Sequence, residues 1–67
     1  MFMEAIPHDQ YSIYIFRLSN GDYAWLIMPE FVPFDVDLVL DSGITSGNFA
    51  YGDAIKNARR AIQLLNE

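Results

Sequence analysis

The clearest pattern in the chain is an alternation of side chains between two faces from Tyr11 to Leu18. Aromatic and β-branched residues with this period of two are typical of a β-strand. The two faces consist of Tyr11, Ile13, Ile15 and Arg17 on one side and of Ser12, Tyr14, Phe16 and Leu18 on the other. Because both faces are largely apolar, we expect a helix to cover one of them and a partner chain to cover the other.

A tight turn follows this strand at Asn20 and Gly21. Asn-Gly tolerates the positive φ angles of the two-residue turns that join antiparallel strands. The apolar run from Tyr23 to Met28 predicts the second strand, and Pro29 ends it because proline cannot donate to the strand ladder. Residues 11–28 therefore predict a β-hairpin, preceded by a lead-in over residues 1–10 that contains His8, the only histidine.

Residues 29–43 change in character, because proline and acidic residues replace the apolar alternation. This stretch contains no basic residue, and its acidic residues are Glu30, Asp35, Asp37 and Asp41. We interpret it as an acidic loop. Apolar and acidic residues alternate at the start of residues 34–40, so a short strand is one interpretation of that stretch. Residues 44–47 predict another short strand.

The last element is an amphipathic helix over residues 49–65. Ala54, Ala58, Ala61 and Leu65 recur at spacings of three and four, which places them on one helical face, and Asn48 is a suitable N-cap. The predicted fold class is therefore α+β. The predicted architecture is a small antiparallel β-sheet of three or four strands, with one C-terminal α-helix packed on one face.

Size limits the chain to one domain, residues 1–67, with a single core. Hydrophobic residues make up 52% of it, which is far from the composition of a disordered chain. A core of this size leaves a stability margin of only about 3 to 5 kcal/mol. We therefore expect additional burial through association, most simply as a homodimer.

Net charge restricts the classes of partner. Nine acidic residues against four basic ones give a charge of −5, whereas nucleic-acid binding needs clustered Lys and Arg. We expect no direct nucleic-acid ligand, and a basic protein surface suits this balance better. The chain has no cysteine, no visible targeting segment and no apolar run near the roughly 18 residues of a membrane span, so we expect a cytoplasmic, membrane-free protein.

The hairpin and the stretch from Ile44 to Leu65 resemble the N-terminal domain of HicB-like antitoxins. The hairpin match comprises Asn20, Gly21, Tyr23 and Pro29, and the helix entry comprises Thr45, Gly47 and Asn48. The helix itself matches the family's E-A-L-x-N-A-x-x-A-I pattern at Asp53, Ala54, Ile55, Asn57, Ala58, Ala61 and Ile62. The departure from the family lies in the longer acidic stretch from Val32 to Gly43.

This resemblance implies a sheet with one helix on a face and a role in sequestering a small, basic, RNA-cleaving toxin. The sequence after the helix has no room for the DNA-binding domain that many members carry, so we do not extend operator binding to this chain. The residues we assign to partner binding are the four loop acids Glu30, Asp35, Asp37 and Asp41, together with Tyr23 and Trp25 of the second strand.

Other functions have weaker support in the sequence. Asp35, Asp37 and Asp41 have the oxygen chemistry of a hard-cation site, but not the spacing of an EF-hand, and we predict no metal, cofactor or catalytic residue. Lys56, Arg59 and Arg60 fit a solvated helix face. A phage or bacterial inhibitor or scaffold with another partner stays open as an alternative, and so does a degenerate nuclease-like domain.

Overall fold

The computed structural model describes residues 3–67, which form four strands, a short 3-10 turn and one α-helix. The strands are β1 (Met3–His8), β2 (Tyr11–Arg17), β3 (Tyr23–Pro29) and β4 (Asp41–Thr45), and the helix is α1 (Ala50–Leu65). The strands pair in chain order as a wholly antiparallel sheet, and α1 packs against it. The predicted α+β class is confirmed, and the sheet has four strands, although the additional strand is β1 and not the one left open within residues 34–40.

Strand β1 replaces the lead-in that we predicted for residues 1–10. It pairs with β2 along its whole length, from Met3 opposite Phe16 to His8 opposite Tyr11. Pro7 is tolerated because β1 is an edge strand, where a missing N–H donor need not break a ladder. The lead-in prediction was wrong. Pro7 and the charged Glu4 are unfavourable for a strand in isolation, and the stability of β1 comes from its pairing with β2.

The core lies between α1 and one face of the sheet. Small helix residues allow the helix axis to approach the sheet closely, so the isoleucines of β2 and β3 become fully buried. The buried cluster comprises Ile13, Ile15, Trp25, Ile27, Ala54, Ala58, Ala61 and Ile62. This face is the one that carried Tyr11, Ile13 and Ile15 in the sequence pattern, so the helix covers one of the two predicted apolar faces.

The opposite face is covered in part by the chain itself. The ring of Phe34 contacts Tyr14 edge-on at a centroid distance of 5.1 Å and Phe16 at 6.1 Å. Met28, which lies opposite Ser12 on the same face, is fully buried. The loop after β3 therefore covers part of the face that we had assigned to a partner chain. It does so because Phe34 of this loop packs against Tyr14 and Phe16 of β2.

Between β3 and β4 the chain forms a 3-10 turn at Val36–Leu38, instead of the short strand left open for residues 34–40. The carboxylate of Asp35 accepts a hydrogen bond from the Asp37 N–H at 2.9 Å and caps this turn. Strand β4 then begins at Asp41 and ends at Thr45, earlier than the predicted residues 44–47. Gly47, with φ of 96°, adopts a left-handed conformation that ends the extended backbone.

The start of α1 is held by Thr45 and not by the predicted cap Asn48. The N-cap residue is Phe49, which makes no side-chain capping hydrogen bond, while the Thr45 hydroxyl donates to the Ala50 carbonyl at 2.6 Å. The Tyr51 hydroxyl also donates a hydrogen bond to the Glu4 carboxylate, which links α1 to β1. This hydrogen bond to Glu4 is the main reason that the pKa of Tyr51 lies above its ordinary value of 10.0.

Candidate partner-binding surface

Exposed large apolar side chains concentrate in residues 30–44, which we call the 30–44 segment. Six of the eleven exposed large hydrophobic side chains among residues 3–67 belong to it. They are Phe31, Phe34, Val36, Leu38, Leu40 and Ile44, and their exposed fractions run from 43% to 93%. Such a concentration on a chain of this size is typical of an interaction surface.

The same segment carries the four predicted loop acids. Asp35, Asp37 and Asp41 are exposed and Glu30 is half-buried. The carboxylates of Asp35 and Asp41 each accept one backbone N–H of the segment, from Asp37 at 2.9 Å and from Ser42 at 2.8 Å. These bonds restrict the orientation of two carboxylates and leave their remaining lone pairs free for a donor from outside.

No Lys or Arg side chain within residues 3–67 forms an ion pair within 4.0 Å of these carboxylates. Across the described part of the chain, the one ion pair joins His8 Nε2 to Asp9 Oδ2 at 3.8 Å, far from the 30–44 segment in sequence. A cationic partner would therefore meet carboxylates that need not first break an internal pair. The four acids and the six apolar side chains together form a surface that is apolar and negatively charged at once.

Tyr23 and Trp25, which we predicted among the partner-binding residues, lie on the helix-covered face instead. Trp25 is 7% exposed in the core, and Tyr23 is half-buried with its ring edge-on to Tyr51 at 5.4 Å. Alternation along β3 placed both residues on one face, but it did not indicate that α1 would cover that face. Their assignment to partner binding stays a prediction.

The backbone of Gly43 lies against the Trp25 indole. It pairs with Trp25 across β3 and β4, and a Cβ atom added to it would lie 2.7 Å from Cε2, Cζ2 and Nε1 of the indole. The ring thus occupies the space that any other residue would need for its side chain. On β3 and β4 an open groove of about 490 Å³ is lined by Ala24, Trp25, Leu26, Ser42, Gly43 and Ile44.

Strand β4 bounds that groove and forms the second edge of the sheet. An edge strand has one row of backbone N–H and C=O groups that no neighbouring strand satisfies, so it can accept a strand from another chain. The 30–44 segment thus combines exposed apolar side chains, acidic side chains and a free strand edge. The sequence indicated the acids, but the groove depends on which strands become neighbours.

Two other features, a cluster of metal ligands and a membrane-spanning helix, are absent from residues 3–67. No group of three or more His, Asp or Glu side chains within residues 3–67 is placed to hold a metal ion. No helix in that range is long and apolar enough to cross a membrane.

Comparisons with models of protein families, with curated proteins and with solved structures each gave no match to this chain. The resemblance to HicB-like antitoxins therefore stays a prediction that rests on the residues given above.

Proposed function

We propose that this protein binds another protein through the 30–44 segment and that it acts as an antitoxin-like inhibitor of a small basic partner. The observation that carries the proposal is the coincidence, in one segment, of unpaired carboxylates and exposed apolar side chains beside a free strand edge. Enzymes that cleave RNA need a cationic surface for phosphates. Carboxylates on a protein loop can occupy such a surface without offering a bond to cleave.

The backbone at Phe31 supports an intermolecular role for this segment. Phe31 has a φ of 67°, a left-handed conformation that is unfavourable for a bulky residue, and its side chain is 93% exposed. The molecule therefore holds an aromatic side chain in a strained position where it contributes almost nothing to the core. Strain of this kind is common at functional sites, and an exposed aromatic ring is a typical anchor of a protein interface.

Replacement of Phe31 by glycine tests the contribution of this residue to partner binding separately from its contribution to folding stability. Phe31→Gly relieves the left-handed strain, so we expect the thermal midpoint to stay unchanged or to rise by a few degrees. We expect the same exchange to weaken partner binding about tenfold or more, because a central aromatic contact is lost. Phe49→Gly is the control, since Phe49 is also exposed but lies outside the segment with φ of −119°. A Phe31→Gly protein with unchanged affinity would remove Phe31 from the interface.

The partner itself is to be identified by affinity purification of the tagged protein from its native cell, with mass spectrometry and measurement of the complex size. Recovery of one small basic protein, whose RNA-cleaving activity the purified chain suppresses, supports the proposal. Recovery of the chain alone, at a mass that shows only self-association, contradicts it.

The loop acids should set the rate of association with that partner. We expect the triple exchange Asp35→Asn, Asp37→Asn and Asp41→Asn to reduce the association rate constant about tenfold at low salt, and less at high salt. Asparagine retains the acceptor oxygen that caps the backbone, so the far-UV circular dichroism should not change. Reversal of the three charges to lysine should weaken binding further.

A matched triple exchange controls for net charge. Asp22→Asn, Asp53→Asn and Glu67→Gln remove the same three charges from outside the segment. We expect this variant to retain the association rate within about threefold, since only distant screened charges are lost. Equal losses in both triple variants would mean that overall charge, and not the 30–44 segment, guides association.

A further inference from the structure

A second surface with the opposite charge lies between the β1–β2 turn and helix α1. It is a cleft of about 450 Å³, and we call it the cationic cleft. Its lining residues are His8 and Asp9 from the turn and Lys56, Arg59, Arg60, Gln63 and Asn66 from α1 and its C-terminal end. No residue of the 30–44 segment lines it.

Positive charge is concentrated in this cleft to an unusual degree for an acidic chain. Three of the four Lys and Arg residues line it, although acidic residues outnumber basic ones by nine to four. Within residues 3–67 none of the three lies within 4.0 Å of a carboxylate oxygen, because the only ion pair is that between His8 and Asp9. The positive charge is therefore available to a ligand.

This arrangement opposes helix stability. Lys56 lies three residues before Arg59 and four before Arg60, so like charges are neighbours on the helix surface. Each such pair destabilises a helix, whereas acidic residues at the same spacing would stabilise it. Asp53 lies three residues before Lys56, but no acidic residue lies three or four residues from Arg59 or Arg60, which favours a binding role for these two cations over a purely solvated face.

Polar neighbours add hydrogen-bond donors to the charge. The Tyr11 hydroxyl donates to Oδ1 of Asn66 at 3.3 Å, which leaves the Asn66 amide NH₂ as the free donor end. Arginine guanidinium groups present paired N–H donors that match two oxygens of one phosphoryl group. The volume of the cleft lies within the range of small-molecule sites, roughly 300 to 1,000 Å³.

We propose that the cationic cleft binds a small ligand that carries a diphosphate group, with Lys56, Arg59 and Arg60 as its charge partners. The cleft is lined by three cations and by one carboxylate, that of Asp9. This balance suits a ligand with more than one negative charge better than a ligand with a single carboxylate group. The cleft shares no lining residue with the 30–44 segment, but Arg60 also lines a neighbouring groove together with Asp41, so Arg59 is the position at which ligand binding is tested independently of that segment.

Titration with inorganic pyrophosphate, followed by amide chemical shifts at about physiological salt, tests the proposal. We expect saturable shifts at one site near His8 and residues 56–66. Arg59→Gln should weaken this binding about tenfold, because a charge-assisted contact is lost, and Arg59→Gln with Arg60→Gln should abolish it. Arg17→Gln removes the same charge from the only other basic residue, which does not line the cleft, and should alter affinity less than about twofold.

Two results would overturn the proposal. One is the absence of saturation by pyrophosphate at millimolar concentration, and the other is an equal loss of affinity in Arg17→Gln and Arg59→Gln, which would indicate bulk electrostatics.

Comparison of pyrophosphate with adenosine diphosphate at equal salt identifies the source of the diphosphate group. Tighter binding of the nucleotide supports a nucleoside diphosphate as the ligand, and equal binding supports the free anion. A short single-stranded RNA that binds far more tightly than both would assign the cleft to nucleic acid and overturn the small-ligand proposal.

Discussion

Ala58→Asp is expected to unfold the protein. Ala58 is fully buried in the cluster between α1 and the sheet, so an aspartate at this position would place a carboxylate among isoleucine and alanine side chains. A buried charge without a partner costs several kcal/mol, which matches or exceeds the margin of about 3 to 5 kcal/mol expected for a core of this size. Far-UV circular dichroism and the dispersion of amide resonances measure the loss of structure.

Gln63→Asp provides the control for Ala58→Asp. It adds the same charge to the same helix, but at an exposed position, and should change the free energy of unfolding by less than about 0.5 kcal/mol. A cooperative, wild-type-like melt of Ala58→Asp would show that this helix face is not packed against the sheet. Unfolding of both variants would instead implicate the helix charge and not the burial of Ala58.

Gly43→Ala should have the next largest effect on stability. The added methyl would lie 2.7 Å from three atoms of the Trp25 indole, and the ring is held in the core by α1. Overpacking of this kind typically costs about 1 to 3 kcal/mol, which lowers the thermal midpoint by about 4 to 8 °C per kcal/mol in a domain of this length. Thermal and chemical denaturation measure the change.

Gly52→Ala is the matched exchange for Gly43→Ala, because nothing lies within 4 Å of a Cβ added at Gly52. Gly52 lies in the first turn of α1, so alanine should leave stability unchanged or raise it by up to about 1 kcal/mol. A Trp25→Phe background should reduce the cost of Gly43→Ala, since the smaller ring leaves space for the methyl. A Gly43→Ala protein as stable as the wild type would mean that the indole does not cover Gly43.

The candidate surface was only partly accessible to sequence analysis. The acids of the 30–44 segment were identified from composition alone, since no basic residue interrupts them. Trp25 was assigned to the same surface, yet its side chain lies in the core that α1 covers. The cationic cleft was not predicted, because His8 is separated from Lys56 by most of the chain and was placed in an unstructured lead-in.

The β2–β3 hairpin and the helix α1 follow from local patterns in the sequence. The period of two in β2 and β3, the Asn-Gly turn and the three-and-four spacing of α1 are local patterns, and local backbone geometry is enough to produce them. Three other features became visible only in the folded molecule: Met3–His8 is a strand, Phe34 covers Tyr14 and Phe16, and the Trp25 indole is buried against Gly43. Each of these features depends on the pairing or packing of residues distant in the chain, and the stability of such contacts is absent from any short window of sequence.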